Sequence, residues 1–189
     1  MNKESLVFGI SGLIIGFLIG IMVGGKTMGS GGQQTSEPVN PHQSAVGAGN
    51  LHARIAELEK IVAGDPKNTQ AWVSLGNDYF DVHNPKKSIE AYTKALELKP
   101  DDPNVLTDQG VMFRALGFYD KALKNFERAY KVNPDHLQSL YNMGIVYLED
   151  LKQPSKARTL FEAVAQKGAN SEIGNQAREI LKQMPPAGK

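Results

Sequence analysis

The sequence predicts an all-α domain of stacked helical hairpins, and three observations predict it. First, one segment is written repeatedly at a step of 34 residues. Pro66, Pro100 and Pro134 stand at that step, as do the pairs Gly76 and Gly110, Tyr79 and Phe113, Tyr92 and Phe126, and Ala95 and Ala129. A fixed period of this length marks a unit that cannot bury its apolar face alone and must stack on its neighbours. Second, the prolines recur where one helix must stop before the next begins. Third, small residues (Gly76, Ser88, Ala95) let two helices approach, while Trp72, Leu75, Tyr79 and Tyr92 fill the space around that crossing.

Residues 1–5 form a short tail, and 6–25 (Leu6 to Gly25) run twenty residues without a charge. As a helix that stretch would be about 30 Å long, the thickness of a bilayer's hydrocarbon core. A cleaved secretory signal has a shorter apolar run, about 7–15 residues, and a small-x-small cleavage site. A transmembrane anchor is therefore the expectation. Gly12, Gly16, Gly20 and Gly24 share one face of it, and glycines at that spacing let a second membrane helix come close. Gly20, Gly25, Lys26 and Thr27 also spell a phosphate-binding loop. That loop needs a strand before it and a helix after it, and neither is written here, so no nucleotide is expected. Lys3 and Lys26 flank the span almost evenly. A short tail before a long soluble domain points to a single-pass protein of a bacterial inner membrane, with the repeats on the extracytoplasmic side.

Residues 26–50 are rich in Gly, Ser, Gln, Pro and Asn and predict a disordered, flexible linker. His42 stands alone in it. The folded part is then 51–189. Leu51 to Ala63 reads as a helix with Leu51, Ile55, Leu58 and Ile61 on one face and Glu57 and Glu59 on its wet side. Its end at Asp65-Pro66 puts it in phase with a repeat's second helix, so 51–66 is expected to cap the stack. Full repeats follow at 69–102, 103–136 and 137–170. The third has a turn one residue longer, from Glu149 to Pro154, with Pro154 in the first turn of its second helix. Asn170 or Ser171 caps a last helix, within 171–184, which Pro185-Pro186 stops.

Composition narrows the function. The 189 residues carry 21 basic and 20 acidic side chains, a net charge of +1, without the clustering a nucleic-acid surface shows. The absence of cysteine removes thiol catalysis, disulfides and Cys-ligated zinc. Asp78 with Asp81, and Glu149 with Asp150, are the closest acidic pairs, expected as solvated charge at helix ends. His52, His83 and His136 have no partner at metal-ligand spacing, and no nucleophile motif occurs. A protein without catalytic, metal or cofactor sites is expected.

The 34-residue grammar resembles that of the tetratricopeptide repeat family. The first copy supplies Trp72, Leu75, Gly76, Tyr79, Ser88, Tyr92, Ala95 and Pro100; the second supplies Leu106, Gln109, Gly110, Phe113, Ala122, Phe126, Ala129 and Pro134. Leu106 stands for the usual Trp and Gln109 for the usual Leu, which should weaken a contact. The resemblance implies a right-handed superhelix of about eight helices whose concave groove binds a protein or peptide partner. Carried over position by position, the groove would be lined by Gln70, Val73, Asn77 and Phe80 in the first repeat. Asn104, Thr107, Val111 and Arg114 take those places in the second, and Gln138, Tyr141, Ile145 and Leu148 in the third. The family's carboxylate clamp for chaperone tails would require cations that are missing: Val73, Asn77, Asp108, Gln138 and Asn142 hold its positions, and only Asn77 fits. The expected role is a membrane-anchored adaptor or assembly factor. A self-assembling homo-oligomeric scaffold is the alternative, and a cytochrome c maturation type of assembly factor is a narrower version by analogy of layout.

Overall fold

The computed structural model describes residues 48–184. The tail, the apolar stretch with Gly12, Gly16, Gly20 and Gly24, and most of the predicted linker lie outside the described residues. Among those described, no helix is long and apolar enough to cross a membrane.

Eight α-helices follow one another among the described residues: α1 (Ala48–Gly64), α2 (Thr69–Asp81), α3 (Pro85–Leu98), α4 (Pro103–Ala115), α5 (Tyr119–Val132), α6 (Leu137–Ile145), α7 (Pro154–Lys167) and α8 (Glu172–Gln183). Their starts are chemically marked. Asn68 caps α2 by accepting from the Ala71 amide at 2.9 Å, and Asn84 caps α3. Asp102 caps α4 through the Asn104 and Val105 amides. Proline opens α3, α4 and α7, where its missing N–H has no helical partner to lose. Of the two candidate caps for α8, Ser171 is the one used, accepting from the Gly174 amide at 3.2 Å.

Every helix packs on the next, and α2, α4, α6 and α8 also touch in series. These four form one layer, and α1, α3, α5 and α7 alternate with them on the other. The core is a string of four clusters rather than one centre. Trp72 belongs to the first two, Val111 joins the next pair, and Met143 and Tyr147 join the last. At each hairpin crossing a glycine faces a buried ring. A methyl group on Gly76 would sit 2.5 Å from the Tyr92 ring, on Gly110 2.5 Å from Phe126, and on Gly144 2.7 Å from Phe161.

Several expectations are corrected. Helix α1 begins at Ala48, inside the predicted linker. Its buried residues are Ile55 and Val62, while Ile61 is 38% exposed. Ile61 occupies the place of Ala95, which in a complete repeat is covered by that repeat's own first helix, and among the described residues no such helix precedes α1. Asp78 is not solvated charge. Its side chain is 2% exposed and paired with Arg54 of α1, Arg54 Nε donating at 2.6 Å, so the burial cost of the carboxylate is offset by a two-pronged partner. Glu59 is exposed, as expected of the wet side of α1, and there it accepts from the Tyr79 hydroxyl and from Lys87 Nζ at 3.3 Å. Gln109 does not leave a weakened contact. It is 6% exposed, donates to Thr93 Oγ1 at 2.8 Å and accepts from Asn125 Nδ2 at 2.8 Å.

The extra residue of the third repeat is absorbed within the helix rather than in the loop. Val146–Asp150 forms a π-helical turn continuing α6, and the Leu151 amide donates to the Val146 carbonyl at 2.9 Å. A π-turn lodges one residue without breaking the helix.

Candidate peptide-binding face

Helices α2, α4 and α6 present the same positions three times, so a side chain on one is answered 34 residues later by its neighbour. The second position of each repeat is an exposed amide: Gln70, Asn104 and Gln138. The remaining expected groove residues divide by burial. Val73, Phe80 and Val111 pack against the second core cluster and Tyr141, Ile145 and Leu148 against the last, each still partly open to solvent. Thr107 is buried and donates to the Pro103 carbonyl at 2.7 Å, so it presents no surface.

The polar members are held from beneath. The Tyr92 hydroxyl donates to Asn77 Oδ1 at 2.8 Å. Burial pushes that phenol far above its ordinary range, which keeps it a donor. Asn77 is thereby fixed with its NH2 group still to be used. Asn104 Oδ1 lies 3.0 Å from His136 Nε2. Burial holds His136 below its ordinary value, which favours the neutral ring, with Nε2–H donating to the amide. Its Nδ1 is then buried without a partner among the described residues. Gln138 Nε2 donates to Asn142 Oδ1 at 3.1 Å. Tyr141 stands edge-on to Phe161, ring centroids 5.5 Å apart.

Arg114, the one cation expected in the groove, is already engaged. Its Nε donates to Asp150 and its Nη2 to Glu149, both at 2.5 Å. The acids expected to be solvated therefore clamp α4 to the π-turn, and the face offers a neutralised guanidinium. What remains available is a row of amides, each able to donate and accept, beside shallow apolar patches. That chemistry suits the backbone of a bound polypeptide. No group of three or more His, Cys, Asp or Glu able to hold a metal occurs among the described residues.

Concavities also lie on the opposite layer. One, of about 340 Å³, sits between α1 and α3; another, of about 470 Å³, sits between α3 and α5. Sequence reasoning directed at the first helix of each repeat passed over them, although comparing successive copies position by position would have flagged the second.

Two family profiles, both described as Tetratricopeptide repeat, match the chain at residues 69–102 and 101–166. Together they span 69–166, more than half of it. Among curated proteins, the mouse (Mus musculus) Superkiller complex protein 3 is 27% identical over 101 residues, which is 53% of this chain and 6% of that protein. The human (Homo sapiens) Protein O-mannosyl-transferase TMTC3 is 36% identical over 102 residues, 51% of this chain and 11% of that one. The chain thus corresponds to a small part of either relative. Among solved structures, MamA superposes with a TM-score of 0.59 at 19% identity, covering 71% of this chain and 86% of its own. The first repeat domain of Spaghetti (RPAP3), bound to an HSP90 peptide, superposes with a TM-score of 0.55 at 19% identity, covering 63% and 94%. At these identities the likeness is one of fold.

Proposed function

The chain belongs to the tetratricopeptide repeat family, and from that premise we propose that it is a non-enzymatic adaptor that grips a polypeptide segment along α2, α4 and α6. The observation that carries this reading is the exposed amide at one position of all three repeats, Gln70, Asn104 and Gln138. A side-chain amide can pair with both the N–H and the C=O of an extended peptide, and repetition at the repeat spacing would hold it at three points. Asn77, locked by Tyr92, adds a fourth donor. The fold neighbour bound to an HSP90 peptide supports a peptide ligand in general. An HSP90-type tail is not the ligand proposed here, because the clamp cations are replaced by Val73, Gln138 and Asn142 and because Asp108 would repel a terminal carboxylate.

The apolar stretch 6–25 completes the reading as a membrane anchor, with 26–47 as tether and the repeats on the extracytoplasmic side. The glycine row within it supports a second reading, in which the chain pairs with copies of itself in the membrane. Capture from detergent-solubilised membranes tests the first. The full-length triple variant Gln70→Ala, Asn104→Ala, Gln138→Ala should lose its bound partner while its helical melt stays unchanged. Undiminished capture would overturn the groove reading. Crosslinking of Gly16→Ile and Gly20→Ile addresses self-association: loss of the crosslinked dimer supports it.

A further inference from the structure

We propose that the trough between α3 and α5, on the layer opposite the amide row, is a second binding site and takes an acidic, extended segment of a partner polypeptide. The proposal does not rest on the groove reading, since it concerns different helices and different chemistry.

The trough is long. The concavity of about 470 Å³ continues along α5 into another of about 570 Å³, and Lys124 and Arg128 line both. Its character is singular among the repeats. The groove one step earlier, between α1 and α3, is built from the corresponding positions. There Glu59, Leu75, Glu90 and Ala91 stand where the trough has Thr93, Gln109, Lys124 and Asn125. Acids are replaced by a hydroxyl and a cation, and apolar side chains by two amides. One repeat further on, once the inserted residue is counted, Met143 and Leu160 occupy the places of Gln109 and Asn125. The polar floor thus belongs to one step of the stack alone.

That floor is a made network. Gln109 of α4 donates to Thr93 of α3 and accepts from Asn125 of α5, so a buried amide is satisfied by both walls. Asn125 spends its NH2 on Gln109, and its carbonyl oxygen has no partner among the described residues. It is an acceptor available to a peptide N–H at the bottom of the trough.

Along the rim, Lys121, Lys124, Arg128 and Lys131 recur at helical spacing on one exposed face of α5. Lys124 and Lys131 have no ion pair among the described residues. Lys121 lies over the Phe113 and Phe118 rings, at 5.4 and 5.2 Å. Of the acids nearby, Glu97 is held by Lys94 at 2.8 Å and Asp101 by Arg128 at 3.1 Å; Glu127 has no ion pair among the described residues. The cations therefore outnumber the acids on a chain whose net charge is only +1. At 1.5 Å per helical residue, Lys121 to Lys131 spans about 15 Å, the length of about four or five extended residues. A segment with two or three carboxylates in that length matches the unpaired cations. A nucleic acid matches less well, since its phosphates continue beyond the roughly 15 Å over which these cations stand.

The test titrates full-length protein in detergent into a fluorescein-labelled eight-residue peptide of alternating glutamate and serine. Its lysine-for-glutamate counterpart and an eight-nucleotide RNA are titrated in parallel. The glutamate peptide should bind saturably and its counterpart should not. Lys124→Glu with Arg128→Glu should weaken binding by about tenfold or more, and Lys124→Gln by less. Glu90→Lys and the triple amide variant should leave it unchanged. The substituted side chains are exposed, and a thermal melt checks that the fold is kept. The proposal is overturned if the glutamate peptide does not bind, if charge reversal at Lys124 and Arg128 leaves binding unmoved, or if the triple amide variant abolishes it. Tighter binding of RNA through the same two residues would overturn it in favour of a nucleic-acid surface.

Discussion

A hydrogen atom in place of a methyl group decides how close the two helices of each repeat can come. Gly110 lies against Phe126, which is fully buried. In Gly110→Ala the new methyl must push the ring or part α4 from α5, at a cost of about 1–3 kcal/mol. Chemical denaturation should show that loss, and Phe126→Leu in the same chain should recover part of it. An unchanged midpoint would mean that the crossing is looser than the contact distances require. This pairing of glycine and ring was legible in the sequence because both members recur at one step. The polar pairs between helices were not. Asp78 meets Arg54 from 24 residues away and Glu59 meets Tyr79 from 20. Such pairs depend on which flank of one repeat faces the next, a fact that periodicity within a helix does not contain. Gln109 was visible only as a departure from the family residue; its compensation by Thr93 and Asn125 comes from two other helices.

At the scale of elements, the three hairpins turn at one equivalent position. His83 has φ of 54°, Gly117 of 77° and Lys152 of 54°. Only glycine adopts that left-handed backbone without crowding its β-carbon. Lys152→Gly should therefore raise stability by about 1 kcal/mol, read as a higher midpoint in urea. A fall would show that Lys152 makes a compensating contact. The order of the helices and the presence of an inserted residue were legible, because prolines and glycines mark ends by local sterics. The place where the insertion is absorbed was not. Sequence located it in the turn, whereas the chain spends it between Val146 and Asp150, where Arg114 holds Glu149 and Asp150 from the preceding repeat. An extra residue in a loop and a wide turn in a helix leave the same count, and only the tertiary clamp distinguishes them.

The eight described helices form a line of neighbours, so damage should stay near its origin. Gly174 of α8 tests this. A β-carbon there would fall 1.9 Å from the Gly168 carbonyl oxygen, a backbone atom that cannot step aside. Gly174→Ala should lift α8 from α7 and speed hydrogen exchange in α6, α7 and α8 well before α2 and α3. Equal acceleration throughout would indicate one cooperative unit. Trp72, the chain's sole tryptophan, is fastened by its indole N–H to the Pro66 carbonyl at 3.0 Å and sits at the joint of the first two clusters. Its emission is accordingly a local thermometer. Fluorescence follows the fate of one end of the array while far-ultraviolet ellipticity averages over its length, and the gap between the two melting curves measures how far cooperativity reaches.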